Sequence, residues 1–352
     1  MLSTASVRFE NVTKAYGEVV AVRGIDFAVE AGTLVTLLGP SGCGKTTTLR
    51  MIAGLELATS GRILIGGQDV THLPATARDV AMVFQSYALF PHMTVRENVG
   101  YGLSVSGRPK AEVRERAEQA LETVGLAGYG DRLPAELSGG QQQRVAVARA
   151  IVLVPQVLLF DEPLSNLDTK LRRRVREELR DLQKRLGITS IYVTHDQEEA
   201  LAVSDRIIVM NQAVIAQTGT PRQLYEEPAS RFVADFIGDA NLLPAEITAS
   251  DGERAAVRLG ASTLDLPARG LKPGACTLAI RPHAIRVHPG QEPGGNQMTV
   301  RHAIYLGSHL EYELEGRMGQ LFATVPVADR IIPPGERAWV TFDERSVALV
   351  PA

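Results

Sequence analysis

The chain has 352 residues, more than a single hydrophobic core usually organises, so two domains are expected. With 45% hydrophobic and 22% charged residues it can bury a core, which excludes wholesale disorder. Its 37 Lys and Arg against 40 Asp and Glu give a formal charge of −3 and argue against a strongly basic nucleic-acid-binding surface. Cys43 and Cys276 have neither paired spacing nor companions, so no disulfide framework or zinc ribbon is expected. Met1–Phe9 lacks the basic-then-apolar pattern of a signal peptide, and the most apolar run, Ala150–Phe160, is too short to cross a bilayer. These features predict a soluble protein of a reducing compartment.

Up to about Asp239, short apolar runs alternate with helical periodicities. Val7–Val12, Thr33–Leu38, Arg62–Ile65, Val80–Phe84, Val157–Phe160, Ser190–Thr194 and Arg206–Met210 read as strands, several apolar on both faces. In Lys110–Val124, Val113, Ala117, Ala120, Leu121 and Val124 share one helical face, and Lys170–Leu186 repeats the theme with more charge. This alternation predicts an α/β domain with a mostly parallel sheet. Beyond Asn241, eight short strand candidates follow, separated by Gly- and Pro-containing turns: Ala245–Ala249, Arg254–Leu259, Ser262–Leu266, Thr277–Arg281, Met298–Leu306, Leu310–Leu314, Leu321–Val325 and Ala338–Phe342. They predict a small all-β barrel or sandwich, with the boundary near Gly238–Leu243.

Gly39-Pro40-Ser41-Gly42-Cys43-Gly44-Lys45-Thr46 fits G-x-x-x-x-G-K-S/T between an apolar run and the helical stretch Thr47–Gly54. Glycines let successive N–H groups converge on phosphate, and the helix N-terminus adds to the attraction. Lys45 would neutralise β/γ-phosphate charge and the Thr46 hydroxyl would bind Mg²⁺. Val157–Phe160 ends in two carboxylates: Asp161 for the Mg²⁺ shell, and Glu162, on the opposite face, to orient or deprotonate water. Leu137-Ser138-Gly139-Gly140-Gln141 opens another helix with a second anion-binding end, more than one γ-phosphate needs from one chain.

At these residues the sequence resembles the ATP-binding-cassette (ABC) ATPase family, over the whole chain. The resemblance implies a P-loop ABC ATPase domain (1–240, helical subdomain about 87–160) followed by a small all-β, OB-like regulatory barrel (241–352). It implies a head-to-tail homodimer in which Ser138, Gly139, Gly140 and Gln141 of one copy close on ATP held by Gly39 through Thr47 of the other. It further implies that Tyr16 stacks on adenine, that Gln85 touches Mg²⁺ and water, and that Asp168 lies in the loop crossing the dimer. His195 would contact γ-phosphate, with Glu162 as the catalytic carboxylate. Asn166 stands where the family more often has Ala. For Tyr16 the competing reading is an ordinary edge-strand tyrosine.

No transmembrane segment is fused, so a separate membrane subunit is expected. Tyr87, Leu89, Phe90 and Met93, in Ser86–Thr94 just beyond Gln85, make either a groove for a partner helix or an ordinary buried loop. The resemblance favours the groove, which in importers receives the permease, with a periplasmic binding protein acting indirectly. Cys276–His283 resembles the strand end "G-x-R-P-E" of importer regulatory extensions, with Ala279 and His283 replacing Gly and Glu. Residues 241–352 carry 11 basic and 12 acidic side chains, too balanced for nucleic-acid binding, so a subunit-contact or small-ligand module is expected. Phe84–Leu103, Leu186–Met210 and Pro228–Leu243 look most like ATPases of ferric-ion importers, with polyamine, phosphonate and hexose-phosphate importers close behind. The resemblance thus implies work at the cytoplasmic face of the inner membrane. The rival class, a soluble ABC ATPase acting on nucleic acid or ribosomes, usually has two cassettes or a coiled-coil insertion.

Other features take plainer readings. His283, His288, His302 and His309 are irregularly spaced and predict no metal site. Arg172–Arg176 is followed by Glu177, Glu178 and Asp181 and predicts an ion-paired, solvated helix face. Cys43 reads as a small filler in the phosphate loop.

Overall fold

The computed structural model describes residues 4–165, 167–260, 262–327 and 331–351; Asn166 lies outside them. The chain divides into two compact units, Met1–Pro221 and Arg222–Ala352.

The first unit begins with β1 (Val7–Tyr16), β2 (Val19–Val29), β3 (Leu34–Leu38), α1 (Lys45–Ala53), β4 (Ser60–Ile65), β5 (Gln68–Asp69) and β6 (Val80–Val83). There follow α2 (Val95–Val105), α3 (Lys110–Thr123), α4 (Gly139–Ile151), β7 (Val157–Asp161), α5 (Thr169–Leu186), β8 (Thr189–Thr194), α6 (Gln197–Val203), β9 (Arg206–Asn211) and β10 (Val214–Gly219). The main sheet has the order β10-β9-β3-β8-β7-β6. Only β10 is antiparallel, and the central strands β3 and β8 are buried at every position, as their two-sided apolar sequences require. Leu38 pairs with Thr194, Phe160 with Tyr192 and Val83 with Phe160, so β3, β8, β7 and β6 end along one edge. The segments that leave these four strands therefore open on the same side of the sheet.

The runs at Val7–Val12 and Arg62–Ile65 lie outside that parallel sheet. They belong to an antiparallel layer in the order β2-β1-β4-β5. Between β6 and β7, α2, α3 and α4 pack on one another as a helical block. In α3 the expected face is buried at Ala117, Ala120 and Leu121, while Val113 leans on Gly100 of α2, where a Cβ would stand 2.6 Å from its methyl.

The second unit takes in α7 (Pro221–Glu226) from its second residue, α8 (Arg231–Phe236), β11 (Asn241–Ser250), β12 (Arg254–Leu259), β13 (Ser262–Pro267) and β14 (Gly274–Ile280). It continues through β15 (Ile285–His288), β16 (Asn296–Tyr305), β17 (His309–Gly316), β18 (Gly319–Pro326), β19 (Arg337–Phe342) and β20 (Val347–Val350). Two five-stranded sheets, β13-β12-β11-β14-β20 and β15-β19-β16-β17-β18, enclose one core around Val257, Leu278, Val300, Leu314 and Val340 and make a small, nearly closed β barrel. Residues 222–240 were expected to finish the first domain, yet they group with the barrel, because buried Arg281 at the end of β14 donates to their carbonyls.

Candidate functional site

The phosphate loop joins the end of β3 to α1. Gly42 and Gly44 have φ of 77° and 104°, and a Cβ on Gly44 would lie 2.5 Å from the Ala21 carbonyl oxygen, so glycine is required there. Lys45 is 6% exposed, and its Nζ donates to the carbonyls of Gly39 (2.7 Å) and Pro40 (2.9 Å). The buried Cys43 sulfur lies 3.8 Å from the same nitrogen, a filler beneath the loop. Ser41 is exposed on its outer side.

Thr46 Oγ1 donates to Asp161 Oδ1 at 3.5 Å. Burial pushes the Asp161 carboxyl up from its ordinary range, with nearby Glu162 adding to the effect against Arg50 and Thr46. Two hard oxygen donors meeting at a desolvated carboxylate suit a divalent cation, whose charge would offset that penalty. Glu162 has a left-handed backbone (φ 43°), fixed by its N–H on the Val193 carbonyl at 3.0 Å. That turn carries its carboxylate to 3.2 Å from His195 Nδ1 at the end of β8. Gln85 donates to Ser165 Oγ (3.0 Å), which donates to the Glu162 carbonyl (3.0 Å). Lys45, Thr46, Asp161, Glu162, Gln85 and His195 thus gather at one sheet edge.

Other candidates stand on separate elements. Ser138 caps α4 in a reciprocal box with Gln141: Ser138 N–H donates to Gln141 Oε1 at 2.9 Å, and Gln141 N–H to Ser138 Oγ at 3.4 Å. Gly139 and Gly140 also have a packing role, since Cβ atoms there would stand 2.9 Å from Leu167 and 3.0 Å from Val175. Asp168 caps α5 through the Leu171 N–H at 3.0 Å. Tyr16 is 47% exposed at the end of β1, an inner strand, with Lys14 Nζ 4.6 Å from its ring centre and Thr47 beside its hydroxyl.

The segment beyond Gln85 is pinned from two sides. Arg149 of α4 donates to the Tyr87 and Ala88 carbonyls at 2.7 Å each, and Asn98 of α2 donates to those of Phe90, Met93 and Thr94 at 3.0 Å each. Of the two readings open for this segment, Tyr87 takes the buried one: it lies in the core and Leu89 packs on that core, while Phe84 (40%) and Tyr101 (39%) are exposed.

Three residues escaped the sequence reading. Arg172, taken for part of a solvated run, pairs with Asp196 at 3.4 Å, whereas Arg173 and Arg174 do pair along the helix with Glu177 and Glu178. Arg149, half-buried on the helix that Ser138 opens, and Glu199 carried no motif, although the Asp-x-x-Glu start to α6 was a visible signal for Glu199. The four histidines of the barrel occupy separate settings: His283 beside Tyr225 and Ser346, His288 beside Thr341, His302 beside Glu313, His309 beside Ser308.

A family model described as "ABC transporter" matches residues 22–165, and one described as "TOBE domain" matches 278–350. The Fe(3+) ions import ATP-binding protein FbpC of Brucella abortus (strain 2308) is 61% identical over 345 residues, 98% of each chain. That of Rhizobium etli is 60% identical over 347 residues, again 98% of each. The dimeric ATP-binding cassette MJ0796, solved in a post-hydrolysis state with ADP and Pi, is 33% identical with a TM-score of 0.54, covering 61% of this chain and 99% of that one. The cbiO1 component of the cbiONQ transporter complex of Clostridium perfringens is 30% identical, TM-score 0.59, covering 63% and 90%. With its phosphate loop, paired strand-end acids and these near full-length relatives, the chain belongs to the ATP-binding-cassette transporter family, as one of its ATPase subunits.

Proposed function

We propose that the chain powers a ferric-ion importer. Two copies bind head to tail at the cytoplasmic face of the inner membrane and engage a permease through the segment from Gln85 to Thr94. The cargo rests on the FbpC relatives. The hydrolytic assignment is carried by one juxtaposition, Glu162 against His195 beside the Thr46–Asp161 pair. The unit ending at Pro221 serves as the motor, and the unit from Arg222 onward as a regulatory barrel.

Lys45 releases the Gly39 and Pro40 carbonyls for the nucleotide phosphates, while the N–H groups of Gly42 through Thr47 surround them. Tyr16 supports the adenine ring. Thr46, Asp161 and Gln85 hold Mg²⁺, which supplies neutralising charge when bound. Glu162 accepts the proton of the attacking water, the new P–O bond forms at the γ-phosphorus, and ADP departs. His195 holds the γ-phosphate side, and Ser138, Gly139, Gly140 and Gln141 of the second copy, followed by Asp168, complete the enclosure. No helix of the described residues is long and apolar enough to cross a membrane, which agrees with a separate permease.

Glu162→Gln should lower turnover by roughly 10²–10⁴ while ATP still binds. Near-normal hydrolysis would overturn the assignment. Uptake by a deletion strain, screened across ferric ion, polyamines, phosphonates and sugar phosphates, tests the cargo: restoration of anything but ferric ion sinks that part.

A further inference from the structure

His195 is poorly held by its own surroundings. Its side chain is 61% exposed, so packing cannot fix it 3.2 Å from Glu162. Its position must come from the backbone of its neighbours, Thr194 and Asp196, and both are tied to one buried acid. We propose that Glu199 is a positioning residue for hydrolysis: its carboxylate clamps the Thr194 hydroxyl and thereby sets His195 against Glu162.

Glu199 is 3% exposed. Its Oε2 accepts from Thr194 Oγ1 at 2.7 Å and from Tyr192 OH at 3.2 Å, two residues of β8 that point to the same face. Thr194 Oγ1 in turn accepts the Asp196 N–H at 3.0 Å. Asp196 caps α6 by accepting the Glu199 N–H at 3.0 Å and pairs on its other oxygen with Arg172 of α5. The loop is closed on both sides of His195: hydroxyl to carboxylate before it, carboxylate to helix N-terminus after it.

Capping does not explain the Glu199 side chain, since Asp196 supplies the cap and Glu199 contributes only its backbone N–H. Nor does core packing, because burial pushes this carboxyl up and an apolar residue would avoid the penalty. The groups facing it are Tyr192 on β8, Asp196 at the start of α6, and Arg172 from α5. It lines a cavity of about 80 Å³ shared with Glu162, Ser165, Arg172 and His195. A costly buried acid on the wall of the hydrolytic site, bonded to the residue before the histidine, is suited to holding that histidine still.

The proposal rests on the reading of Glu162 and His195 as the hydrolytic pair, so Glu162→Gln is run beside it. With the full chain, ATP affinity and turnover are measured for Glu199→Ala, Glu199→Gln, Thr194→Val and the Thr194→Val/Glu199→Ala double variant. Glu199→Ala should lower kcat by about 30- to 100-fold with ATP affinity within about 3-fold, the scale of a misplaced catalytic group. Glu199→Gln keeps an acceptor oxygen for both hydroxyls and should stay within about 5-fold of the parent. Thr194→Val should match Glu199→Ala, and the double variant should be no worse than either. Three results overturn the proposal: unimpaired Glu199→Ala, additive losses in the double variant, or a joint fall of affinity, melting temperature and kcat that Glu199→Gln does not rescue. An active Glu162→Gln would instead remove the underlying reading, whereas an inactive one with an active Glu199→Ala removes this proposal alone.

Discussion

The Arg281 guanidinium lies 4.1 Å from the centre of the Tyr225 ring and donates to the Tyr225 carbonyl at 2.6 Å. It also donates to the carbonyls of Ala234 (2.8 Å) and Ile237, at the carboxyl end of α8, although it is only 2% exposed. The cation therefore serves as a C-terminal cap for a helix that is distant in sequence. Arg281→Met leaves two buried carbonyls, those of Ala234 and Ile237, and the half-buried Tyr225 carbonyl without this donor. We expect a loss of about 3 kcal/mol in chemical denaturation and faster hydrogen exchange over residues 231–237. Unchanged exchange there would show that α8 is held by other contacts.

Ser138 caps α4, and on the proposed head-to-tail closure it would also face nucleotide; Ser138→Asp separates the two tasks. Aspartate caps helices as well as serine, so α4 and the melting temperature should be preserved. Its negative charge would face the phosphate of the opposing copy, so ATP-driven dimerisation of the Glu162→Gln form should be lost. Scattering with and without ATP measures it, and a dimer that still assembles counts against closure of this turn on nucleotide.

Gln143, on the same helix, is wholly buried, and neither end of its amide has a partner among the described residues. A desolvated, unpaired amide costs about 1–3 kcal/mol. Gln143→Leu should raise the calorimetric melting temperature by a few degrees, about 2–4 °C per kcal/mol for a domain of this size. A lower melting temperature would mean that the amide binds an ordered water.

Much of this was legible from the residues because chemistry and position coincide at the strand ends. Thr33–Leu38 and Val157–Phe160 are apolar on both faces, so their central place could be read together with the chemistry of the glycines and acids just beyond them. Strand β2 was not anticipated: it alternates burial along an antiparallel layer and carries Gly24 and Asp26 within it. Helix α2 was missed because Gly100 and Gly102 weaken its pattern, although Thr94 and Glu97 form the capping box that announces it. For Tyr87 the residues alone leave groove and buried loop open, because an apolar side chain beside a functional glutamine reads alike whether it faces a partner or the core. Its left-handed backbone (φ 59°), which a sequence does not display, turns it inward.

Asp205 accepts the Leu34 N–H at 2.8 Å and pairs with Arg180 of α5, tying that helix to the start of β3. Burial works to raise its carboxyl, but Arg180 and the Leu34 N–H outweigh it and hold it below the usual aspartate range. The folded state therefore prefers the charged form. Its stabilisation is complete above the ordinary aspartate value of about pH 4 and is lost as acid passes the lowered folded value. Asp205→Asn should cost about 1 kcal/mol at neutral pH, discounted for partial exposure, and should flatten the acid limb of a stability-versus-pH curve. Identical acid limbs for the two proteins would assign that limb to other carboxylates.

Strand β3 lies between β8 and β9, and a Cβ at Gly39 would collide with the Met210 carbonyl. The wall that shapes the phosphate loop is thus translated about 170 positions after the loop itself, a long-range pairing of the kind that slows folding. A nascent chain emerging from the ribosome should remain unable to retain nucleotide until β9 has cleared the exit tunnel, however early its glycines appear.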